Sequence, residues 1–242
     1  MAEPSANSGS RYPTSQAAQE LKNIFQQITD QSCPHYYNFH MHTHCSDGKL
    51  SPGDLMEQAI NLQLKGFAIT DHHTIRGYQQ ACRWLENWRW HHPSTWSAKQ
   101  SQFKLPRLWC GIEITANLLE VDVHILGYAF NPQHEAFRGY VQGGAPSGDQ
   151  RQAQAVIQAI QSAGGIAVLA HPVRYRRSPE ELIPAAAALG IDGVETYYAY
   201  DHPAEWRPTP EKTERVEKLA NAYELLSTCG TDSHGLTLTR RI

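Results

Sequence analysis

The chain has 242 residues, a formal net charge of −3, five cysteines and thirteen histidines. That length can bury one sizeable core, and the charge balance offers no footprint for long duplex nucleic acid. No apolar run approaches the ~20 residues of a membrane span. The odd number of cysteines, without C-x-x-C spacing, leads us to expect reduced thiols and a cytoplasmic location.

Residues 1–34 read as a Ser/Pro/Gly-rich tail followed by an amphipathic helix over 15–28, where Leu21, Ile24, Phe25 and Ile28 recur at helical spacing. The remainder, 35–242, reads as one domain in which apolar strands alternate with helices. Strands are expected at "YYNFHMH", "GFAITDH", "RLWCGIEIT", "VDVHILGYAF", "GGIAVLAHP", "GVETYYAY" and "LLSTCGTDSH". Helices are expected over 51–64, with Ser51 as cap and Pro52 at the first position, and over 74–90. Others are expected over 149–163, 178–189 and 210–223, the first two stopped by Gly164 and Gly190. The Trp-rich stretch 84–109 is read as a helix plus surface loop, or as a lid on which a base could stack.

Alternation of this kind argues for a mostly parallel sheet, and seven strands in about 200 residues suit a closed or nearly closed α/β barrel. Almost every strand ends in a ligand-competent residue: His40 and His42, Asp71 with His72, Glu113, His124, His171, Glu195, then Asp232 and His234. Carboxyl ends of parallel strands converge, so these side chains are expected to meet. His40 and His42, two apart on one strand, should share a face. Glu113 stands among isoleucines, where a carboxylate is costly to bury unless paired or metal-bound. Mixed imidazole and carboxylate ligands suit Zn, Mn or Fe, and ligand type alone does not choose among them.

In chain order the motifs H-x-H-x-x-x-x-D-G, T-D-H-x-T, G-x-E, H-x-L-G-Y, A-H-P, G-V-E and D-S-H resemble the polymerase and histidinol phosphatase (PHP) family over roughly residues 36–236. The stand-alone members acting on nucleoside 3′,5′-bisphosphates or oligonucleotides are the most similar. The resemblance implies a distorted seven-stranded (β/α)7 barrel and two to three divalent metal ions (Mn, Zn or Fe). It implies His40, His42, Glu113 and Asp232 at one metal, Asp47, His72 and His234 at a second, and Glu113, His124 and His171 at a third. His73 stands where many such relatives have Asp and is read as facing substrate or supporting a ligand. The link from His124 to His171 is short, without the extra domain some relatives insert there. The activity implied is hydrolysis of phosphate esters of nucleotides or short oligonucleotides by a metal-activated hydroxide. Alternatives are a histidinol-phosphate or other small-molecule phosphomonoesterase, and a non-catalytic metal-binding interaction module. Arg174, three residues after His171, is the candidate for clamping a substrate phosphate, because a guanidinium can bind one bidentately. His91, His92, His134 and His202 lie outside every motif and are read as surface residues.

Overall fold

The computed structural model describes residues 15–92 and 105–242. Ser15–Phe25 forms α1, followed by β1 at Tyr37–Asn38, α2 at Pro52–Asn61, β2 at Gly66–Ile69 and α3 at Arg76–His91. Then come β3 at Arg107–Leu118, β4 at Val121–Tyr128, α4 at Ala153–Ser162 and β5 at Ile166–Leu169. The last elements are α5 at Pro179–Ala188, β6 at Gly193–Tyr197, α6 at Pro210–Ala222 and β7 at Leu226–Cys229. The possible lid over 84–109 falls partly on α3; its central part, 93–104, lies outside the described residues.

Local chemistry accounts for several boundaries. Ser51 accepts a hydrogen bond from the Asp54 amide and Pro52 opens α2, whose first-turn donors would otherwise be unpaired. Ser178 and Glu181 form a reciprocal capping box at the start of α5.

The seven strands form one sheet in chain order. Pairings β1–β2, β2–β3, β5–β6 and β6–β7 are parallel, whereas β4 runs antiparallel to both β3 and β5. The sheet is therefore mixed, because β3 and β4 form a hairpin through Leu119 and Glu120, both at positive φ. Hydrogen bonds from Phe39 to Cys229, His42 to Ser233 and Asp232 to His40 bring the first strand against the last and nearly close a barrel.

Alternate residues divide the core. Ala68 of β2 joins Phe39, Trp109, Leu126, Tyr128 and Val168 inside the barrel, while its neighbours Phe67 and Ile69 pack outward on Leu55, Met56 and Ala59 of α2. On the other flank, Ile112, Ile114, Val123 and Ile125 meet Val156, Ile157 and Ile160 of α4. Helix α1 inserts Leu21 and Phe25 into the interior group, with Phe25 edge-on to Phe39 at 4.9 Å and to Tyr128 at 5.5 Å.

The expectation of five reduced thiols is corrected for one pair. Cys33 and Cys229 form a disulfide with Cα atoms 6.1 Å apart. Their 196-residue separation hides them from any spacing rule; closure of the barrel makes them neighbours. Cys45, Cys82 and Cys110 remain thiols.

Candidate metal centre

The barrel interior changes character along its axis, from aromatic to ionisable. Glu113 sits midway along β3 with 1% exposure, and both of its oxygens face imidazoles. Its Oε2 lies 3.1 Å from His40 Nε2, 3.0 Å from His42 Nε2 and 3.6 Å from His72 Nε2. Its Oε1 lies 2.7 Å from His124 Nδ1 and 3.4 Å from His171 Nε2. Asp232 Oδ1 closes the first group at 3.4 Å from His40 and 3.3 Å from His42. Asp47 gathers a second group: Oδ2 is 3.2 Å from His234 Nε2 and 3.6 Å from His72 Nε2, and Oδ1 is 3.5 Å from His42 Nδ1.

All nine residues expected to ligate metal thus converge. His124 reaches the group by an unexpected route: it is the fourth residue of an antiparallel strand, opposite Thr115, and does not stand at a carboxyl end. His73 stays apart. It is buried, at φ 53°, with Nε2 3.2 Å from the Thr115 hydroxyl and, among the described residues, no carboxylate in ion-pair contact.

Three sets of contacts stand behind the expected ligands. Glu195, fully buried, has Oε1 2.9 Å from His40 Nδ1, while Oε2 accepts the His171 amide at 2.9 Å. A carboxylate only accepts, so without metal both ring nitrogens of His40 donate, Nδ1 to Glu195 and Nε2 to Glu113, and with metal bound Glu195 would keep the proton on Nδ1 and leave Nε2 as the ligand atom. Asp71 accepts from the Thr43 amide at 2.7 Å and from the Thr43 and Ser46 hydroxyls, tying down the loop that carries Asp47. In that loop a Cβ on Gly48 would stand 2.5 Å from the His42 carbonyl oxygen, so only glycine closes the turn. Asp232 Oδ2, facing away from the imidazoles, accepts from Arg174 at 2.9 Å, Tyr198 at 2.7 Å and Arg241 at 2.8 Å. Arg174, the expected phosphate clamp, therefore also braces an expected ligand. The acid in "GVE" was visible in the sequence as a strand-end carboxylate; nothing in "TLTRRI" pointed to Arg241.

Electrostatics follow from this crowding. Burial opposes charge on His42, but Asp232 and Glu113 outweigh it and push its pKa up to about 9. His40 is likewise raised, burial being overcome by Glu195, Glu113 and Asp232. His72 goes the other way, down to about 4, because burial is reinforced by His42 and His124 against the pull of Glu113. The carboxyl groups of Glu113 and Asp232 are held well below the usual range by the surrounding imidazoles despite their burial.

The residues fit divalent metal. Both ring nitrogens of His42, the Nδ1 atoms of His124 and His171, and Glu113 Oε1 are buried, and although carboxylates and imidazoles stand close, none of these atoms forms an aligned hydrogen bond. Such a set is costly unless a cation satisfies it. Among the described residues, four groups of His and carboxylate side chains have ligand atoms close enough to share an ion: His40, His42, Glu113 and Asp232; His42, Asp47, His72 and His234; His40, His171 and Glu195; and His72, Glu113 and His124. His124 thus joins Glu113 in company with His72 where the resemblance implied His171. Backbone strain collects here too, with His171 at φ 26° and Asp232 at φ 51°.

Residues 38–165 match the model of the PHP domain family. Among curated proteins, the chain is 24% identical over 252 aligned residues to a 5′-3′ exoribonuclease of Haemophilus influenzae, covering 82% of this chain and 89% of that protein. It is 28% identical over 127 residues to the 5′-3′ exoribonuclease Rnm of Salmonella typhimurium, covering 52% and 38%. Among solved structures, a Bifidobacterium adolescentis protein assigned to the metal-dependent phosphoesterases superposes with TM-score 0.63 at 25% identity, covering 86% of this chain and 93% of that one. An amidohydrolase of Chromobacterium violaceum, solved with sulfate and no metal, gives TM-score 0.63 at 19% identity over 83% and 88%.

Proposed function

The chain belongs to the PHP domain family and is a metal-dependent phosphoesterase, and from that premise we propose that it hydrolyses phosphate esters of nucleotides or short oligonucleotides at a multinuclear centre. One observation carries the multinuclear reading: a single buried carboxylate, Glu113, has imidazoles on both oxygens. Its Oε2 side would serve one ion with His40, His42 and Asp232, and its Oε1 side another with His124 and His171. Asp47, His72 and His234 would hold a further ion. The nucleotide reading is supported by the two exoribonuclease relatives.

Bound cations would lower the pKa of a water and neutralise the phosphoryl oxygens. The chain's own residues do the rest. Glu195 holds His40 in one tautomer and fixes the His171 backbone, so two ligand residues are oriented by one carboxylate. Asp71 holds the loop of Asp47 at the rim. Arg174, part exposed and anchored on Asp232, would offer a cation to a substrate phosphate. His73, beside Thr115, would act from the edge of the site on the substrate.

A phosphoester screen on protein of defined metal content tests this, with nucleotides, short 5′-phosphorylated oligonucleotides and histidinol phosphate side by side. Turnover of the nucleotide substrates is expected. Preference for histidinol phosphate would replace the substrate class, and metal binding without any turnover would leave only a metal-binding module.

A further inference from the structure

The sheet runs from β1 to β7 in order, and among the described residues no ladder joins its two edges. The edges meet through an isolated bridge between Met41 and Ser233 and through single hydrogen bonds. Phe39 N–H donates to the Cys229 carbonyl at 3.1 Å, Asp232 N–H to His40 at 2.7 Å and His42 N–H to Ser233 at 3.0 Å. Asn38 adds two bonds to Thr231, at 2.9 and 3.1 Å. The Cys33–Cys229 disulfide is the covalent tie across this seam. Cys229 ends β7 three residues before Asp232, and Cys33 lies four residues before β1, from which the chain continues to His40 and His42. The first metal group spans the same seam, with Asp232 Oδ1 3.4 Å from His40 Nε2 and 3.3 Å from His42 Nε2.

The two sulfurs differ in access. Cys229 is fully buried, whereas Cys33 forms part of the wall of a cavity of about 770 Å³, beside Pro34, His35, Tyr197 and Trp206. Cys33 Sγ also lies 3.0 Å from the Tyr37 carbonyl oxygen, so a thiol at Cys33 has an acceptor already in place.

We propose that Cys33–Cys229 is a reversible redox site that latches the seam, so that its reduction weakens metal binding at the centre. The proposal rests on the metal-centre reading and adds a control to it. The reductant is a dithiol that enters from the Cys33 side. Its thiolate attacks Cys33 Sγ: an S–S bond to the reductant forms, the Cys33–Cys229 bond breaks, and Cys229 leaves as a thiolate that takes a proton. The second thiol of the reductant then closes the reductant's own disulfide and releases Cys33 as a thiol. Two electrons and two protons pass to the protein. A cross-link that closed 196 residues of chain is then gone, and the seam keeps only its hydrogen bonds and packing. Local opening there becomes easier, and it separates Asp232 from His40 and His42. The β3–β4 ladder, continuous from Gly111–Tyr128 to Leu118–Val121, lies outside the latch.

The full chain is compared before and after treatment with a dithiol, which is removed before each measurement. Thiols titrated after unfolding should rise from three, those of Cys45, Cys82 and Cys110, to five. Mn affinity, read by competition with a chelator, is expected to fall roughly tenfold, the low end of the loss when an outer support of a ligand is removed. Glutathione disulfide should restore it. Hydrogen exchange should quicken at the amides of Phe39, His42 and Asp232 and stay unchanged at Leu126 in β4. Cys33→Ser should behave as reduced protein under both treatments; if it does not fold, the wild-type pair still decides. Protein that keeps three thiols after the dithiol, or five after glutathione disulfide, overturns the proposal, as does an equal Mn affinity in both states. Absence of Mn binding in both states defeats the metal-centre reading, and the seam amides alone then decide the latch: equal exchange overturns it and faster exchange in reduced protein supports it.

Discussion

The two ends of the barrel interior are built from the same strands and obey opposite rules. Towards the amino end, Phe25, Phe39, Trp109 and Tyr128 pack edge to face around the inserted helix α1, so shape and apolar area hold that end together. Towards the carboxyl end the same inward positions carry His40, Glu113, His124, His171 and Glu195, and like charges and strained backbone accumulate. Some strands contribute to both: β3 supplies Trp109 below and Glu113 above, and β4 supplies Tyr128 below and His124 above. The same strands thus tie the aromatic end to the ionisable end. If that division holds, damage at one end should reduce stability and damage at the other should reduce metal binding.

The largest effect is expected at the aromatic end. Phe39→Ala removes a fully buried ring and should cost about 3–5 kcal/mol in urea unfolding. The folded fraction should retain its metal stoichiometry. Loss of metal with little loss of stability would break the division. Next comes Glu113→Gln, which keeps the shape but removes the charge between the imidazole groups. Activity and metal content should both fall, activity by more than about 100-fold, beyond the 10- to 100-fold typical of an outer partner of a metal ligand. Near-equal activity in Glu113→Gln and the surface control Glu86→Gln would remove Glu113 from the centre.

Glu195 sharpens the comparison, since it touches ligand residues without facing the shared carboxylate. Its two oxygens both accept, whereas Gln offers one acceptor and one donor. Glu195→Gln must therefore either face the His171 N–H with its own N–H₂ or push the proton of His40 onto Nε2. Metal affinity should drop roughly 10- to 100-fold. Nitrogen-15 NMR of the histidines should show a changed His40 tautomer if the second arrangement is adopted. Unchanged metal affinity in Glu195→Gln would reduce Glu195 to a packing residue.

The smallest effect is the pH response of the chelated protein. The folded pKa of His42 is raised to about 9, so its contribution is complete below the ordinary value of 6.5 and is lost as pH rises through about 9. The folded pKa of His72 is lowered to about 4, so its contribution is complete above 6.5 and is lost as pH falls through about 4. Stability of metal-free protein should peak between these limits. Metal should abolish the alkaline loss, because the His42 lone pair then holds a cation in place of a proton. Thermal melts from pH 5 to 9 with and without metal measure this; parallel curves would show that His42 does not exchange a proton for metal.

Much of this molecule was legible in one dimension. Ser51 with Pro52 marks a helix start because cap chemistry is local, and Gly164 and Gly190 mark helix ends because both adopt the positive φ that glycine tolerates. Glu113 among isoleucines announced itself because an uncompensated buried carboxylate is too costly to keep. The seven strands and the convergence of His40, His42, His72, Glu113, His171, Asp232 and His234 follow from motifs read at strand ends, whereas Asp47 lies in a loop that only the family resemblance picked out and His124 arrives mid-strand on the antiparallel β4. Tertiary structure alone decided the rest. The antiparallel course of β4 depends on a two-residue turn that strand patterning does not orient. The Cys33–Cys229 disulfide, the grip of Glu195 on His40 and the reach of Arg241 to Asp232 join residues that only the barrel brings together. Periodicity and capping energies act over one or two turns of chain, whereas the partner of a buried charge is set by which strands close against each other.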